Sequence, residues 1–295
     1  MILSKGRRAY QLVINFLLML TTLIMVLPLL LLFISSITDE NTLVANGYSY
    51  FPEQLSLTAY RYILTNAASI LRAYGITVMV TAIGTVGNLL LVSLMAFPLS
   101  IRELPGRKFV SFYVFFTMLF SGGLVPSYIM WTTTFGIKNS IWAYILPNFL
   151  LSAFNIILVR TFFQTSIPND IYEAAKIDGA GYFMIYWKIV LPLGKPILVT
   201  IGLFSGLSYW NDWTNGLYYI TDSKMLSIQA LLNRMIQDIQ ALAANSTANS
   251  GALMQIPQVS IRMAIAFVAI LPILIIYPFL QKYFASGIML GAVKG

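Results

Sequence analysis

The chain has 295 residues, of which 58% are hydrophobic and only 9% charged, with a mean hydropathy of +0.79 and a net charge of +8. This composition excludes a soluble globule, which needs far more polar surface to cover its core, and places the chain in a lipid bilayer. The absence of His and Cys removes the usual general base, the thiolate nucleophile and the commonest zinc ligands, and the basic residues flank apolar runs instead of forming the stripe that nucleic acid requires.

A helix needs about 20 mostly apolar residues to cross the hydrocarbon of a bilayer, and six segments qualify. The first, Leu12 to Ile34, follows Lys5, Arg7 and Arg8. It is longer than the apolar stretch of a signal peptide and lacks a small-residue cleavage site, so it reads as a retained helix. A hydrophilic segment, roughly Ser35 to Arg72, separates it from the second span, Ala73 to Leu99. The third, Phe109 to Met130, contains Gly122-Gly123 followed by Pro126, which is expected to break or bend it. The fourth runs from Ser140 to Val159, the fifth from Pro196 to Ile220 and the sixth from Met263 to Leu280, with a second hydrophilic segment at Asp222 to Arg262. Asn88, Asn148 and Asn155 lie within spans, where an amide either lines a polar path or bonds helix to helix.

With the N-terminus inside, 12 of the 18 Lys and Arg residues fall in cytoplasmic segments, so the positive-inside rule puts both termini in the cytoplasm. The expected fold is an all-α membrane protein with six transmembrane helices, forming one domain over residues 1–295. No composition break or internal repeat divides it.

Between the fourth and fifth spans lies the most informative stretch, Glu173 to Pro192, reading EAAKIDGAGYFMIYWKIVLP. Pro168-Asn169-Asp170 signals a helix start, with Asn169 or Asp170 able to cap free amides and Glu173 near the positive end of the dipole. Ala174 and Ala175 keep one side thin enough for another protein to approach, and Gly179 can take the positive φ that ends a helix. Phe183, Tyr186, Trp187 and Val190 then follow at helical spacing, as in a helix anchored at the membrane interface by aromatics. Pro192 and Pro196 separate it from the fifth span. A pair of short helices joined by a bend is expected, on the cytoplasmic side.

Glu173-Ala174-Ala175, Gly179, Ile189 and Leu191-Pro192 together reproduce the coupling-loop signature of ABC-importer permeases, and the chain resembles that family over most of its length. Phe120-Ser121-Gly122-Gly123-Leu124-Val125-Pro126, Phe154-Asn155 with Arg160, Ile177-Asp178-Gly179-Ala180 and Trp210-Asn211-Asp212 are similar to the carbohydrate-uptake subgroup that imports complex oligosaccharides or polysaccharide fragments. Phe97 stands where relatives often carry tyrosine. The ending Gly287 to Gly295 resembles the tail of the MalG-like half of the sugar-permease heterodimer.

What the resemblance implies can be placed residue by residue. Glu173, Ala174, Ala175, Asp178 and Gly179 would couple to a cytoplasmic ATPase dimer, with Glu173 paired to a basic residue of that partner and Gly179 as the hinge. Gly291, Lys294 and Gly295 of the tail would reach between the two ATPase subunits. Asn249, Ser250 and Gly251, in the small and polar stretch Ala243 to Ala252, would enter the cleft of an extracytoplasmic sugar-binding protein; a solvated linker explains the same composition. The other partners implied are a second, homologous permease and membrane lipid, with no nucleic acid, and the location is the bacterial cytoplasmic membrane.

Sugars need flat apolar faces for stacking and amides or carboxylates for their hydroxyls. Tyr209, Trp210, Asn211, Asp212, Trp213 and Asn215 supply both, and an ionisable Asp212 inside a span favours a position on the path. An interfacial aromatic belt, with Asp212 in the outer headgroup layer, accounts for the same residues. No catalytic residue and no metal ligand set stands out. No Gly-x-x-x-x-Gly-Lys-Ser/Thr loop occurs, so ATP and its magnesium belong to a separate subunit. The alternative reading, an ion-coupled secondary transporter, would need intramembrane carboxylates or broken helices, and an intramembrane enzyme would need a nucleophile with a base.

Overall fold

The computed structural model describes residues 5–65, 67–147, 149–245 and 259–292. In chain order its helices are α1 (Lys5–Ser36), α2 (Glu40–Asn46), α3 (Thr58–Thr65), α4 (Ala67–Ser100), α5 (Arg107–Leu119), α6 (Leu124–Ile129), α7 (Trp142–Ile145) and α8 (Ala153–Ser166). There follow α9 (Asn169–Ile177), α10 (Tyr182–Ile185), α11 (Leu191–Leu193), α12 (Lys195–Trp210), α13 (Thr214–Tyr219), α14 (Ile228–Asn245) and α15 (Val259–Ala292). Among the described residues no β-strand forms, only an isolated bridge between Thr38 and Leu55.

Among the described residues two helices are long and apolar enough to cross a membrane unbroken, Tyr10–Ser36 and α4. The third, fourth and fifth apolar segments are interrupted, each for a local reason, while the sixth lies within the continuous α15. The bend expected at Gly122-Gly123 is present: Arg107–Leu119 and Leu124–Thr134 meet at 109°, because Phe120 turns extended and Gly123 takes φ 86, a conformation costly for a residue with a Cβ. Tyr182–Leu193 and Lys195–Trp210 meet at 78° around Gly194. The fourth segment, expected as one helix over Ser140–Val159, contains only the short α7 before α8 begins at Ala153. Pro147 cannot donate to the preceding turn, and Ser152, extended, restarts the helix by accepting the amide of Asn155 at 3.4 Å. The fifth, expected to continue to Ile220, ends at Trp210, and α13 follows after a break. The hydrophilic segment from Asp222 contains α14, whose apolar residues recur at helical spacing.

The chain divides into two compact units, Met1–Ile70 with Arg234–Leu274, and Leu71–Asn233 with Ile275–Gly295. In the first, Asp39 caps α2 by accepting the Asn41 amide at 3.0 Å. Phe33 packs on Phe267 with ring centroids 4.9 Å apart, and Ser36 and Tyr60 share a hydrogen bond of 2.8 Å between their hydroxyls. The Glu40 carboxylate accepts from the amides of Val259 and Ser260, both at 2.8 Å, and from the Ser260 hydroxyl at 2.7 Å. These are the first amides of α15, which have no partner within the helix.

The second unit has two hydrophobic centres. One gathers Phe97 of α4, Val114 of α5, Ile156 and Phe163 of α8, Ala175 of α9, Ile185, Tyr186 and Val190, and Ile201 of α12. The other surrounds Val80, Tyr144, Tyr209, Tyr219 and Ala230. Small residues set the approach of helices here: a Cβ on Gly84 of α4 would overlap the Tyr209 ring. Gly75, on the same helix, faces open space.

These two glycines therefore predict opposite responses. Gly84→Ala is expected to destabilise the purified chain by about 1–3 kcal/mol through overpacking, whereas Gly75→Ala is neutral or stabilising by up to ~1 kcal/mol. Thermal unfolding in detergent, comparing the two variants, checks this.

Candidate functional site

α9 is the hydrophilic finger that the sequence places between α8 and α12. Its N-terminus differs from expectation: Pro168 occupies the cap position with φ −61 and ψ 141, and no side chain caps the helix. The fixed φ of proline suits that extended position, which leaves Asn169 and Asp170 inside the first turn. Asp170 still meets the positive end of the helix there. At the other end the Asp178 amide donates to the Ala174 carbonyl, Gly179 to Lys176 and Ala180 to Ala175, at 3.0, 3.0 and 2.9 Å. Gly179 adopts φ 79, the left-handed value that reverses the chain into α10.

The finger has an inner and an outer side. Ala175 is buried, and Tyr172 packs on the Phe97 ring at 6.3 Å; burial pushes the Tyr172 phenol pKa up. Phe97 also meets Tyr186 at 5.7 Å, and the Tyr186 hydroxyl shares a 2.7 Å hydrogen bond with Ser93 of α4. Gln164 of α8 donates to the carbonyls of Leu99 and Ser100 at 3.3 and 3.4 Å, closing the end of α4. On the outer side Glu173, Ala174, Lys176, Asp178 and Gly179 are exposed, and Ile177 is 86% exposed.

A groove of about 180 Å³ runs beside this side, lined by Ile101, Glu103, Asn169, Tyr172, Glu173, Lys176, Tyr182 and Ile185. Lys176 extends over the Tyr182 ring, 5.4 Å from its centroid. Glu103 was not visible as a site residue in the sequence. Its signal was weak, one acidic residue among Arg102, Arg107 and Lys108 in a short loop between two spans.

The helix after the finger is continuous from α10 to α11 through a π turn at Tyr186–Val190. Its aromatics divide: Phe183 and Trp187 are exposed, while Tyr186 and Val190 are buried against α4 and α8.

The residues expected to meet sugar are placed less uniformly. Tyr209 is 2% exposed and its hydroxyl donates to the Ile145 carbonyl at 3.1 Å. Trp210, 8% exposed, packs at 6.4 Å on Tyr74. Asp212 is buried in the break after α12, where one carboxylate oxygen accepts the Asn215 amide at 3.0 Å. Asn215, also buried, donates to the Pro147 carbonyl at 3.4 Å. The second Asp212 oxygen and the Trp210 ring nitrogen have no hydrogen-bond partner among the described residues. Asn211 and Trp213 are exposed.

Of the two roles open to the span asparagines, the structure shows helix-to-helix bonding at Asn88 and Asn155. The Asn88 amide donates to the carbonyls of Phe149 and Leu150 at 2.7 and 3.1 Å. Its oxygen accepts from the Ser205 hydroxyl at 2.7 Å and from Asn155 at 3.5 Å, and Asn155 also donates to Ser205 at 3.3 Å. α4, α8 and α12 are tied at one buried point.

Asn148, Asn249, Ser250, Gly251, Lys294 and Gly295 lie outside the described residues, and Gly291 falls near the end of α15. Among the described residues no group of His, Cys, Asp or Glu is arranged to hold a metal ion.

The family described as "Binding-protein-dependent transport system inner membrane component" matches residues 2–289. The chain is 41% identical over 291 residues to the "Polygalacturonan/rhamnogalacturonan transport system permease protein YtcP" of Bacillus subtilis (strain 168), covering 99% of this chain and 100% of that one. It is 37% identical over 275 residues to "Protein LplC" of the same organism, covering 92% and 90%. A solved structure, "Crystal structure of a bacterial ABC transporter involved in the import of the acidic polysaccharide alginate", contains a chain that is 30% identical and superposes with a TM-score of 0.78, over 96% of this chain and 99% of that one.

The asparagine tie makes a measurable prediction. Asn88→Leu strands two carbonyls and the Ser205 hydroxyl and is expected to cost about 1–3 kcal/mol, while Ser205→Ala costs less. Because the groups share one network, the double variant is expected to lose less than the sum. Unfolding midpoints of the three variants in detergent give the comparison.

Proposed function

The chain belongs to the family of binding-protein-dependent transport system inner membrane components, and we propose that, as a permease subunit of an ABC sugar importer, it carries fragments of an acidic polysaccharide. The substrate class is supported by two of the similar proteins, one named for polygalacturonan and rhamnogalacturonan transport and the other for alginate import. The ion-coupled alternative finds no support among them.

The observation that carries the mechanism is the finger: a short helix packed inward through Tyr172 and through Ala175, which was expected on the outer side, and presenting Glu173 and Ala174 outward beside a groove. This is the shape a soluble partner needs in order to grip a membrane protein. An ATPase dimer, holding ATP and magnesium, docks there, with Glu173 paired to a basic side chain and Glu103 a second carboxylate on the same groove. Closure of the ATPase pulls this finger and that of a second, homologous permease together, and the helices turn from inward-open to outward-open; hydrolysis resets them. Six spans with both termini in the cytoplasm belong to this reading, as does a single transmembrane domain over 1–295, which the family match across 2–289 supports. So do contacts of Gly291, Lys294 and Gly295 with the ATPase, of Asn249 to Gly251 with the binding protein, and of the segment Tyr209 to Asn215 with the substrate path.

The test is in the assembled importer. Glu173→Ala is expected to weaken ATPase association at least tenfold, about 1.4 kcal/mol, and to lower sugar uptake with it. Stability remains unchanged because the side chain is exposed. Glu103→Ala gives a smaller loss of the same kind. Co-purification of the ATPase and ATP-driven uptake in liposomes are the measurements, and wild-type values for Glu173→Ala in both would remove Glu173 from the docking site.

A further inference from the structure

α5 has two unlike faces. Val110 and Val114 pack into the core shared with α8. Phe109, Phe112, Phe116 and Phe120, on the opposite side at helical spacing, are 75, 62, 40 and 63% exposed. Three of these rings form a continuous ladder: Phe112 meets Phe116 at 6.2 Å, and Phe116 stacks on Phe120 at 4.4 Å with only 21° between the planes.

Exposed phenylalanines on a spanning helix ordinarily meet acyl chains, and what separates this ladder from that case is where it ends. Phe120 is itself the first residue of a break, and Ser121, Gly122 and Gly123 follow in exposed, non-helical backbone before α6 departs. Amides and carbonyls released within an apolar segment cannot face hydrocarbon; they are tolerated only against protein or a water-filled cavity. Two hydroxyls already serve this break: Ser121 accepts the Gly123 amide at 3.2 Å and Ser127 donates to the Gly123 carbonyl at 2.8 Å. Of the rings first expected to stack on sugar, Tyr209 and Trp210 are buried and Trp213 alone is exposed.

We infer that Phe112, Phe116 and Phe120 form a sugar-stacking track in the translocation path, taking the pyranose rings of an oligosaccharide on their faces while the broken backbone beyond Phe120 meets its hydroxyls. This rests on the permease reading above. The track needs no charge, so it serves successive rings of a chain as they slide past.

The absence of cysteine from the chain allows a direct test. Phe116→Cys, Phe120→Cys and Met118→Cys, the last on another side of the helix and 53% exposed, are assembled with cysteine-free companion subunits in liposomes. Each is treated with a charged, membrane-impermeant methanethiosulfonate, with and without trigalacturonate and the binding protein. The two ladder positions are expected to react at least tenfold faster than Met118→Cys and to be slowed at least fivefold by the sugar. Phe116→Ala is expected to raise the KM for trigalacturonate uptake at least tenfold, with Phe116→Trp restoring it. Slow labelling at all three positions would mean lipid or the second permease covers the ladder, and fast labelling without protection would mean water but no sugar; either overturns the track. Normal wild-type uptake beside slow labelling defeats the track alone. Absent wild-type uptake beside fast labelling defeats the substrate reading, and the ladder's claim on sugar with it.

Discussion

An apolar chain that breaks its helices inside a membrane must supply its own polar groups at each break, and the second unit is organised around that requirement. Where the fourth segment is interrupted, the amide of Asn88, from α4, takes the carbonyls of Phe149 and Leu150. Where the fifth ends, Asp212 accepts the Asn215 amide, and Asn215 reaches back to Pro147. The same interior holds the phenol of Tyr209 on Ile145. Without these side chains the bent segments would expose unpaired backbone to hydrocarbon, and straight helices would be the only stable alternative.

The finger depends on this framework without contributing to it. Its inner residues, Tyr172 and Ala175, join the hydrophobic centre that α4, α5, α8 and α12 share, while its outer residues touch little of the unit. Packing is thus continuous from the surface carrying Glu173 to the point where Asn88, Asn155 and Ser205 meet. Interiors packed at this density transmit displacement instead of absorbing it, and that gives a docked partner purchase on helices far from the docking surface.

How much of this was legible in the sequence follows from which signals are local. The long apolar runs of α1 and α4 needed no context, and Gly179 and Gly122-Gly123 announced their turns because only glycine tolerates those backbone angles at little cost. Hydropathy averaged over a span, however, does not register that Pro147 and Ser152 divide the fourth segment, since the residues between them remain apolar. The cap of α9, expected at Asn169 or Asp170, falls one or two residues earlier, because asparagine and aspartate are better caps than proline in general and only the extended backbone at Pro168 decides otherwise. Asn88 and Asn155 had two equally good readings, and partners distant in sequence resolved them. Glu103 could not be found at all from its own neighbours: its relation to Glu173 exists only once two loops fold to one groove.

The π turn at Tyr186–Val190 has a consequence for the length of the segment leading away from the finger. A π turn accommodates one residue more than the regular helix on either side, and the helix continues unbroken through it from α10 into α11 with Tyr186 and Val190 buried. Removing that extra residue would restore ordinary helical winding with little turn of the flanks, whereas removing a residue from the regular helix on either side would rotate everything upstream by about 100° relative to α12. Glu173 would then look away from the groove. Outside the π turn the spacing between the finger and the bundle is consequently counted to the residue, and the π turn is the one place in this segment where length can change without turning the finger.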